Sequence, residues 1–181
     1  TGLLWERKTN PSGAGAGTEI NFGDGRACPL TGAPAECEAD VHDVLNRFAW
    51  SSTGSAPDGP AYTVFLAALN TAPGFAGHQD WDLPAISEWQ SILVGPGVTL
   101  SSKNVEPLDP AMGTNPTGQA LTCDTTELCI DPEFAVLGGR TASSLYWSAS
   151  SGATVPSFAW TAAFTNGTVF VGTNKTNGFF V

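Results

Sequence analysis

The residues best placed to do chemistry are short polar side chains gathered towards the C-terminal end of the chain. Ser148, Ser150, Thr161, Thr165, Asn174, Lys175 and Asn177 offer hydroxyl, amide and ammonium groups. Hydroxyls and amides both donate and accept hydrogen bonds, so such a set suits reversible binding of a polar ligand. Covalent chemistry asks for more: a nucleophile beside a base, or two facing carboxylates. The chain has only 2 histidines. His42 falls on the polar side of an expected helix, and His78 sits beside Gln79 and Asp80 in an expected loop. Neither Gly-x-Ser-x-Gly nor His-Glu-x-x-His occurs. Asp80 and Asp82 are the nearest approach to a carboxylate pair, and turn-forming, solvated acids account for them far better. These residue types point to a binding protein rather than an enzyme.

The 4 cysteines form an even set. They allow three pairings, of which proximity favours Cys28 with Cys37 and Cys123 with Cys129. Each bridge would close a short loop and stabilise the fold by about 2–3 kcal/mol on the chain-entropy model. Neither pair has the tight spacing of a zinc site, and both histidines lie apart from them. Disulfides imply an oxidising compartment, so the expected location is secreted or cell-surface.

Charge narrows the partners. Asp plus Glu total 17 against 7 Lys plus Arg, a net charge of −10. A polyanion is repelled at long range, and Arg7-Lys8 is the one adjacent basic pair, so nucleic acid is not an expected partner. The longest apolar run, Tyr62 to Leu69, is too short to span a bilayer, so no membrane insertion is expected. No signal-peptide pattern is read in the sequence, and the chain starts at Thr1 rather than a methionine, so the expectation is an upstream segment that has been removed or omitted.

Several elements must position these residues. The length of 181 residues suits one domain, 1–181. With 21 Gly, 13 Pro and only 13% charged residues, the composition is that of a loop-rich fold with a neutral surface. TGLLWERK (1–8) reads as a short strand anchored by Trp5. Asp40 reads as an N-cap, followed by Val41, Val44, Leu45, Phe48 and Ala49 at helical spacing. A second helix is expected from Pro60, with Tyr62, Phe65, Leu66 and Leu69 on one face. A third carries Ile86, Trp89 and Leu93 and stops at Gly95-Pro96. Residues 96–145 form a long excursion holding the second cysteine pair. Four short strands follow: 146–150, 158–164, 168–173 and 178–181. Asn166-Gly167 is the hairpin signal between two of them. Trp160, Ala162 and Phe164 alternate with Thr161, Ala163 and Thr165, so one buried and one polar face are expected. Helices first and an antiparallel meander last make the fold class α+β.

Three blocks in this order carry a family resemblance: TGLLWERK, FAGHQDWDLPAISEWQSIL, and YWSAS…FAWTAAFTNGTVFVGTNKTNGFFV. Together they resemble the bacterial family typified by the C-terminal domain of the Legionella collagen-like protein, which is similar to C-type lectins in fold. The string Asp80-Trp81-x-Leu83-Pro84…Glu88 is its most specific part. The resemblance implies a C-type-lectin-like fold with disulfide-held loops, an extracellular location and a ligand-binding role on the C-terminal β face. Two departures matter. Asp82 stands where the family usually has Arg, which removes a fork of donors. The family's terminal Val-Arg-Cys-Val-Arg strand is not reached at Val181, and the opening strand begins partway in. The chain is therefore expected to be a piece of a longer surface protein. The family's namesake is associated with sulfated polysaccharides, a ligand that a charge of −10 argues against copying.

Calcium-dependent lectins hold their metal with Glu-Pro-Asn-like and Trp-Asn-Asp strings. Here Glu106-Pro107 is followed by Leu108, and Trp147 by Ser148. Calcium takes about six to eight oxygen ligands, of which Asp24, Asp40, Asp80, Asp82, Asp109, Asp124 and Asp131 could supply some. The expectation is no metal and no cofactor, with calcium the one alternative. Trp5, Trp81, Trp89, Trp147 and Trp160 could stack on sugars, but large aromatics more often fill a core. Asn166-Gly-Thr168 and Asn174-Lys-Thr176 match the glycosylation sequon. The expected function is recognition of a glycan or a surface protein by an adhesin-like or lectin-like domain. The alternative is a structural subunit that self-assembles into a filament or surface layer by sharing strands. An enzyme comes third.

Overall fold

The computed structural model describes residues 4–6, 8, 26–28, 40–93, 129–130 and 141–181. Its elements are β1 (Arg26–Cys28), β2 (Asn46–Ala49), a π-helical segment α1 (Ala61–Leu66) running directly into α2 (Ala67–Asn70), α3 (Ile86–Gln90), β3 (Leu145–Ser151), β4 (Phe158–Ala163), β5 (Thr168–Asn174) and β6 (Gly178–Phe179). The order β3-β4-β5 is an antiparallel meander, and a second sheet runs β1-β2-β6. The fold is α+β, as expected.

The meander has three strands rather than four. β6 leaves it to pair antiparallel with β2, Phe48 opposite Phe179, while β1 runs parallel to β2 on its other side. Just beyond β6, Phe180 bridges to Tyr146. The Trp147 N–H donates to the Phe180 carbonyl at 2.9 Å and the Phe180 N–H to the Leu145 carbonyl at 3.2 Å. The C-terminal residues thus lie between β2 and the start of β3 and link the two sheets.

Strand alternation then divides the core in two. Successive side chains of a strand point to opposite faces. Trp147 and Phe179 therefore join a cluster with Phe48, Trp50, Phe65, Leu69 and Leu83. Their neighbours Tyr146 and Phe180 join Trp89, Ile92, Leu93, Ile130 and Phe164 on the other side. Buried indoles must find acceptors for their N–H groups, and these do so on backbone carbonyls of other elements. Trp147 donates to Phe48 at 2.7 Å, Trp89 to Trp147 at 2.9 Å and Trp50 to Ser148 at 3.0 Å.

The helices expected from Pro60 and around Ile86–Leu93 are present, with Phe65, Leu66 and Leu69 buried in one cluster and Trp89 and Leu93 in the other. The helix expected at 40–49 is not. Residues 41–45 form turns and Asn46–Ala49 form β2. Asp40 and Asp43 explain why. Their carboxylates accept the N–H two residues on, His42 at 3.0 Å and Leu45 at 2.8 Å, and their carbonyls accept the N–H three residues on, Asp43 at 3.2 Å and Asn46 at 3.1 Å, which closes two successive turns that feed β2. The strand expected near Trp5 is absent among the described residues, but Trp5 does anchor the segment, packing on Trp89 at 5.1 Å. β1 was not foreseen at all.

Candidate functional site

Three loops meet: 51–58, 151–157 and 174–177. The turn 174–177 is closed by the Asn177 N–H on the Asn174 carbonyl at 3.0 Å. The Asn174 side chain caps it from within, its Oδ1 accepting from Thr176 N–H at 3.0 Å and Thr176 Oγ1 at 2.9 Å. That geometry turns Lys175 inward, where only 1% of it is exposed. Its Nζ donates to the Ser55 carbonyl at 2.9 Å and to Ser151 Oγ at 2.8 Å, and sits 3.8 Å from the Trp50 ring centre. The Lys175 N–H donates to the Ser157 carbonyl at 3.0 Å, and its carbonyl accepts from the Ser51 N–H at 2.9 Å. One residue therefore ties all three loops together. Burial pulls its pKa below the ordinary lysine value.

The loop 51–58 has its own organiser. Asp58 Oδ1 accepts from Ser52 N–H at 2.7 Å, Ser51 Oγ at 2.9 Å and Thr53 N–H at 3.3 Å. Desolvation works against the ionised carboxylate, but these bonds from Ser52, Thr53 and Ser51 outweigh it and hold the carboxyl down to about 2. The chain then passes so close to Trp50 that a Cβ on Gly59 would lie 2.4 Å from the Ala49 carbonyl oxygen. Ser, Thr, Pro, Ala, Val and Asn make up the exposed residues of the three loops, and no exposed residue there carries a charge.

The polar face expected on the last strands is not one continuous surface. Ser148 and Thr161 have 0% exposure. Ser148 Oγ accepts the Ser150 N–H at 3.0 Å, and Thr161 Oγ1 faces Thr173 Oγ1 at 3.2 Å. Ser150 is half-buried and acts at a distance, its Oγ accepting the Ile86 N–H at the start of α3 at 3.1 Å. Lys175 is the buried tie already described. Thr165, Asn174 and Asn177 are exposed, and only the last two lie in the loop cluster. The expected alternation fails because both faces of the meander are covered: Ala163 and Thr161 are buried together with Ala162 and Phe164, and Trp160 is half-buried.

Trp89 and Trp147 are core residues, and Trp50 joins them. Trp81 is half-buried, and its backbone is clamped at both ends by the Asn70 amide, N–H to Oδ1 at 2.8 Å and carbonyl to Nδ2 at 2.9 Å. The rest of that motif is structural too. Leu83 is buried, the Pro84 carbonyl accepts the Ala149 N–H at 2.9 Å, and Glu88 Oε2 accepts the Ala85 N–H at 2.7 Å. Asp82, in place of the family's Arg, accepts the Leu83 N–H at 2.8 Å.

Among the cysteines, Cys129 is fully buried and disulfide-bonded. Cys28 lies in β1, and Cys37 and Cys123 fall outside the described residues, as does most of the 96–145 excursion. The excursion touches the core where Leu93 bridges to Ile130 and where the Cys129 N–H meets the Phe164 carbonyl at 2.8 Å. The described residues contain no group of three or more metal-ligating side chains and no helix long and apolar enough to cross a membrane.

Sequence reasoning missed the loop 51–58 as part of the site and read it only as a helix breaker. The available signal was Ser51-Ser52-Thr53 followed by Asp58-Gly59-Pro60, a set of donors facing one acceptor at a turn.

The architecture is that of a small α+β domain whose C-terminal strand and buried indoles join two sheets beneath a cluster of tied loops. The family model of the Lcl C-terminal domain matches residues 1–181, and the chain belongs to that family. No curated protein and no solved structure matches it.

Proposed function

We propose that this chain is an extracellular recognition domain of C-type-lectin-like fold, with disulfide-held loops, that binds a glycan or a surface protein without breaking a bond. The single observation that carries the reading is the loop cluster: three loops locked to one buried ammonium, presenting short neutral donors and acceptors. Recognition benefits when the binding groups are already fixed, because less ordering entropy is lost on binding. The site is the exposed part of the expected set, Asn174 and Asn177, together with loops 51–58 and 151–157. The buried members, Ser148, Thr161 and Lys175, support it from beneath. The disulfide at Cys129 supports placement in an oxidising compartment, with Cys123 as its partner and Cys28 paired with Cys37.

A glycan array probed with and without calcium tests this. Saturable, competable binding to a sugar class, weakened by Asn177→Ala, is expected in both conditions. Silence across the array would move the reading to protein partners.

Assembly with other copies of the chain is the second reading. Val155 at 40% and Val171 at 42% exposure favour it, both near β5, an outer strand of the meander. Against it, the register shifts between Ala159 and Trp160, opposite Gly172 at φ 142°, and such a bulge spoils strand addition. Light scattering of the purified domain separates the two, since recognition alone predicts a monomer mass.

A further inference from the structure

We infer that the loop cluster is built for an uncharged glycan and excludes sulfated and uronate-bearing ones. This rests on the reading of the cluster as a recognition surface and narrows its ligand.

The argument begins with the charges. The loops contain one cation and one anion, Lys175 and Asp58. An anionic sugar would need a cationic donor free to face it, since charge-assisted bonds are what offset dehydration of a sulfate or carboxylate. Lys175 cannot serve. It is 1% exposed, and its ammonium is already spent on the Ser55 carbonyl, Ser151 Oγ and the Trp50 face. Drawing it outward would untie the three loops that form the surface. Asp58 adds a fixed negative charge beside the loops, and the chain as a whole carries −10. At long range a polyanion is repelled, and at contact these three loops offer it no free cation.

The exposed groups fit a neutral sugar instead. Ser52, Thr53, Thr154 and Thr176 carry hydroxyls, and Asn174 and Asn177 carry amides. Ser52 Oγ already donates to the Asp58 carbonyl at 2.9 Å and Thr176 Oγ1 to Asn174 Oδ1 at 2.9 Å, so these two hydroxyls face a ligand as acceptors, while Thr154 and the Asn177 amide can donate and accept; together they match sugar hydroxyls, which do both. Asn174 Oδ1 is occupied by Thr176, so that amide is held in one orientation with its NH2 as the remaining donor. Val155, 40% exposed, offers an apolar surface for the C–H face of a pyranose.

The test titrates the full chain against immobilised neutral glycans (a mannan, a β-glucan and a galactan) and against heparin, chondroitin sulfate and a polyuronate. Each is run at about 0.05 and 0.5 M salt, a range over which exposed charge pairs are largely screened. Binding to a neutral glycan that changes less than about twofold with salt is expected, since no counterions are released. Thr154→Lys places a free cation on the cluster and should add salt-sensitive heparin binding, while Asn177→Ala should weaken the neutral glycan. Wild-type binding confined to the anionic set, falling steeply with salt, overturns this inference and leaves the recognition reading standing. Binding to neither set overturns this inference and moves the recognition reading to protein partners. Neutral binding that ignores Asn177→Ala and Thr154→Lys places the glycan elsewhere and overturns the assignment to these loops.

Discussion

Lys175→Met is the most informative single change, because it removes the ammonium while keeping a flexible stem beside Trp50. Two hydrogen bonds from a charged donor contribute about 1.5–3 kcal/mol each. The cation–π contact adds about 1–2 kcal/mol. Against these stands the dehydration of a buried ammonium, which costs several kcal/mol. Burial also holds its pKa below the ordinary lysine value, the direction expected when dehydration opposes the charge. Attraction and dehydration nearly cancel, and the global change in stability is expected to stay within about 1–2 kcal/mol of the wild type in either direction. Locally the effect is larger, because loops 51–58 and 151–157 lose their shared anchor. Hydrogen exchange reads this directly at Ser51, whose N–H is held by the Lys175 carbonyl, and at Gly54, whose N–H is held by Ser51 Oγ. Their exchange should quicken about tenfold for each 1.4 kcal/mol of local stability lost, while the amides of β3 and β4 slow or quicken only with global stability. Lys175→Ala also empties the volume of the stem and should cost about 2–4 kcal/mol in all. The reasoning is refuted if the loops exchange in Lys175→Met as slowly as in the wild type. It is refuted equally if all amides quicken together.

Three further outcomes follow from the same geometry. Gly59→Ala should destabilise the fold by about 2–4 kcal/mol in a denaturant titration, because its Cβ meets backbone atoms that cannot move aside. Asp58 is more acidic folded than unfolded, where its value is 3.8, so its stabilising effect is full above about pH 4 and is lost as pH falls through about 2. Exchange in loop 51–58 should accelerate across that window, and Asp58→Asn should flatten the response. Trp147→Phe leaves the Phe48 carbonyl without its 2.7 Å donor and should cost about 2–4 kcal/mol by thermal or chemical unfolding.

How much of this was legible depended on the range of the interaction. The helices at 61–70 and 86–90 and the hairpin at Asn166-Gly167 were readable, since propensity, capping and apolar spacing act within a few residues. The segment 40–49 misled because the spacing of Val41, Val44 and Phe48 is also met by a turn feeding a strand that sits between two clusters. Val44 goes to one cluster, and Val41 and Phe48 go to the other. Nothing in the spacing records that partition, which comes from pairing with residues 178–179 at the far end of the chain.

The site was legible in position but not in role. Lys175 was singled out as a surface donor because lysine is rarely buried. Its burial depends on three acceptors, Ser55, Ser151 and Ser157, brought together from 24 to 120 residues away in the case of its ammonium bonds. A local reading sees Asn-Lys-Thr-Asn as an ordinary polar turn. The same non-local contacts decide the chemistry. A free lysine among neutral hydroxyls would have favoured an anionic ligand, whereas a lysine already spent on the loops leaves a surface that only an uncharged partner matches. The functional reading therefore turns on the state of one ammonium. Trapping it is direct: reductive methylation should spare Lys175 in the intact domain and modify it in the denatured chain, and rapid modification at Lys175 in the intact domain would show that the loops open, remove the argument against anionic ligands and return the sulfated glycans to contention.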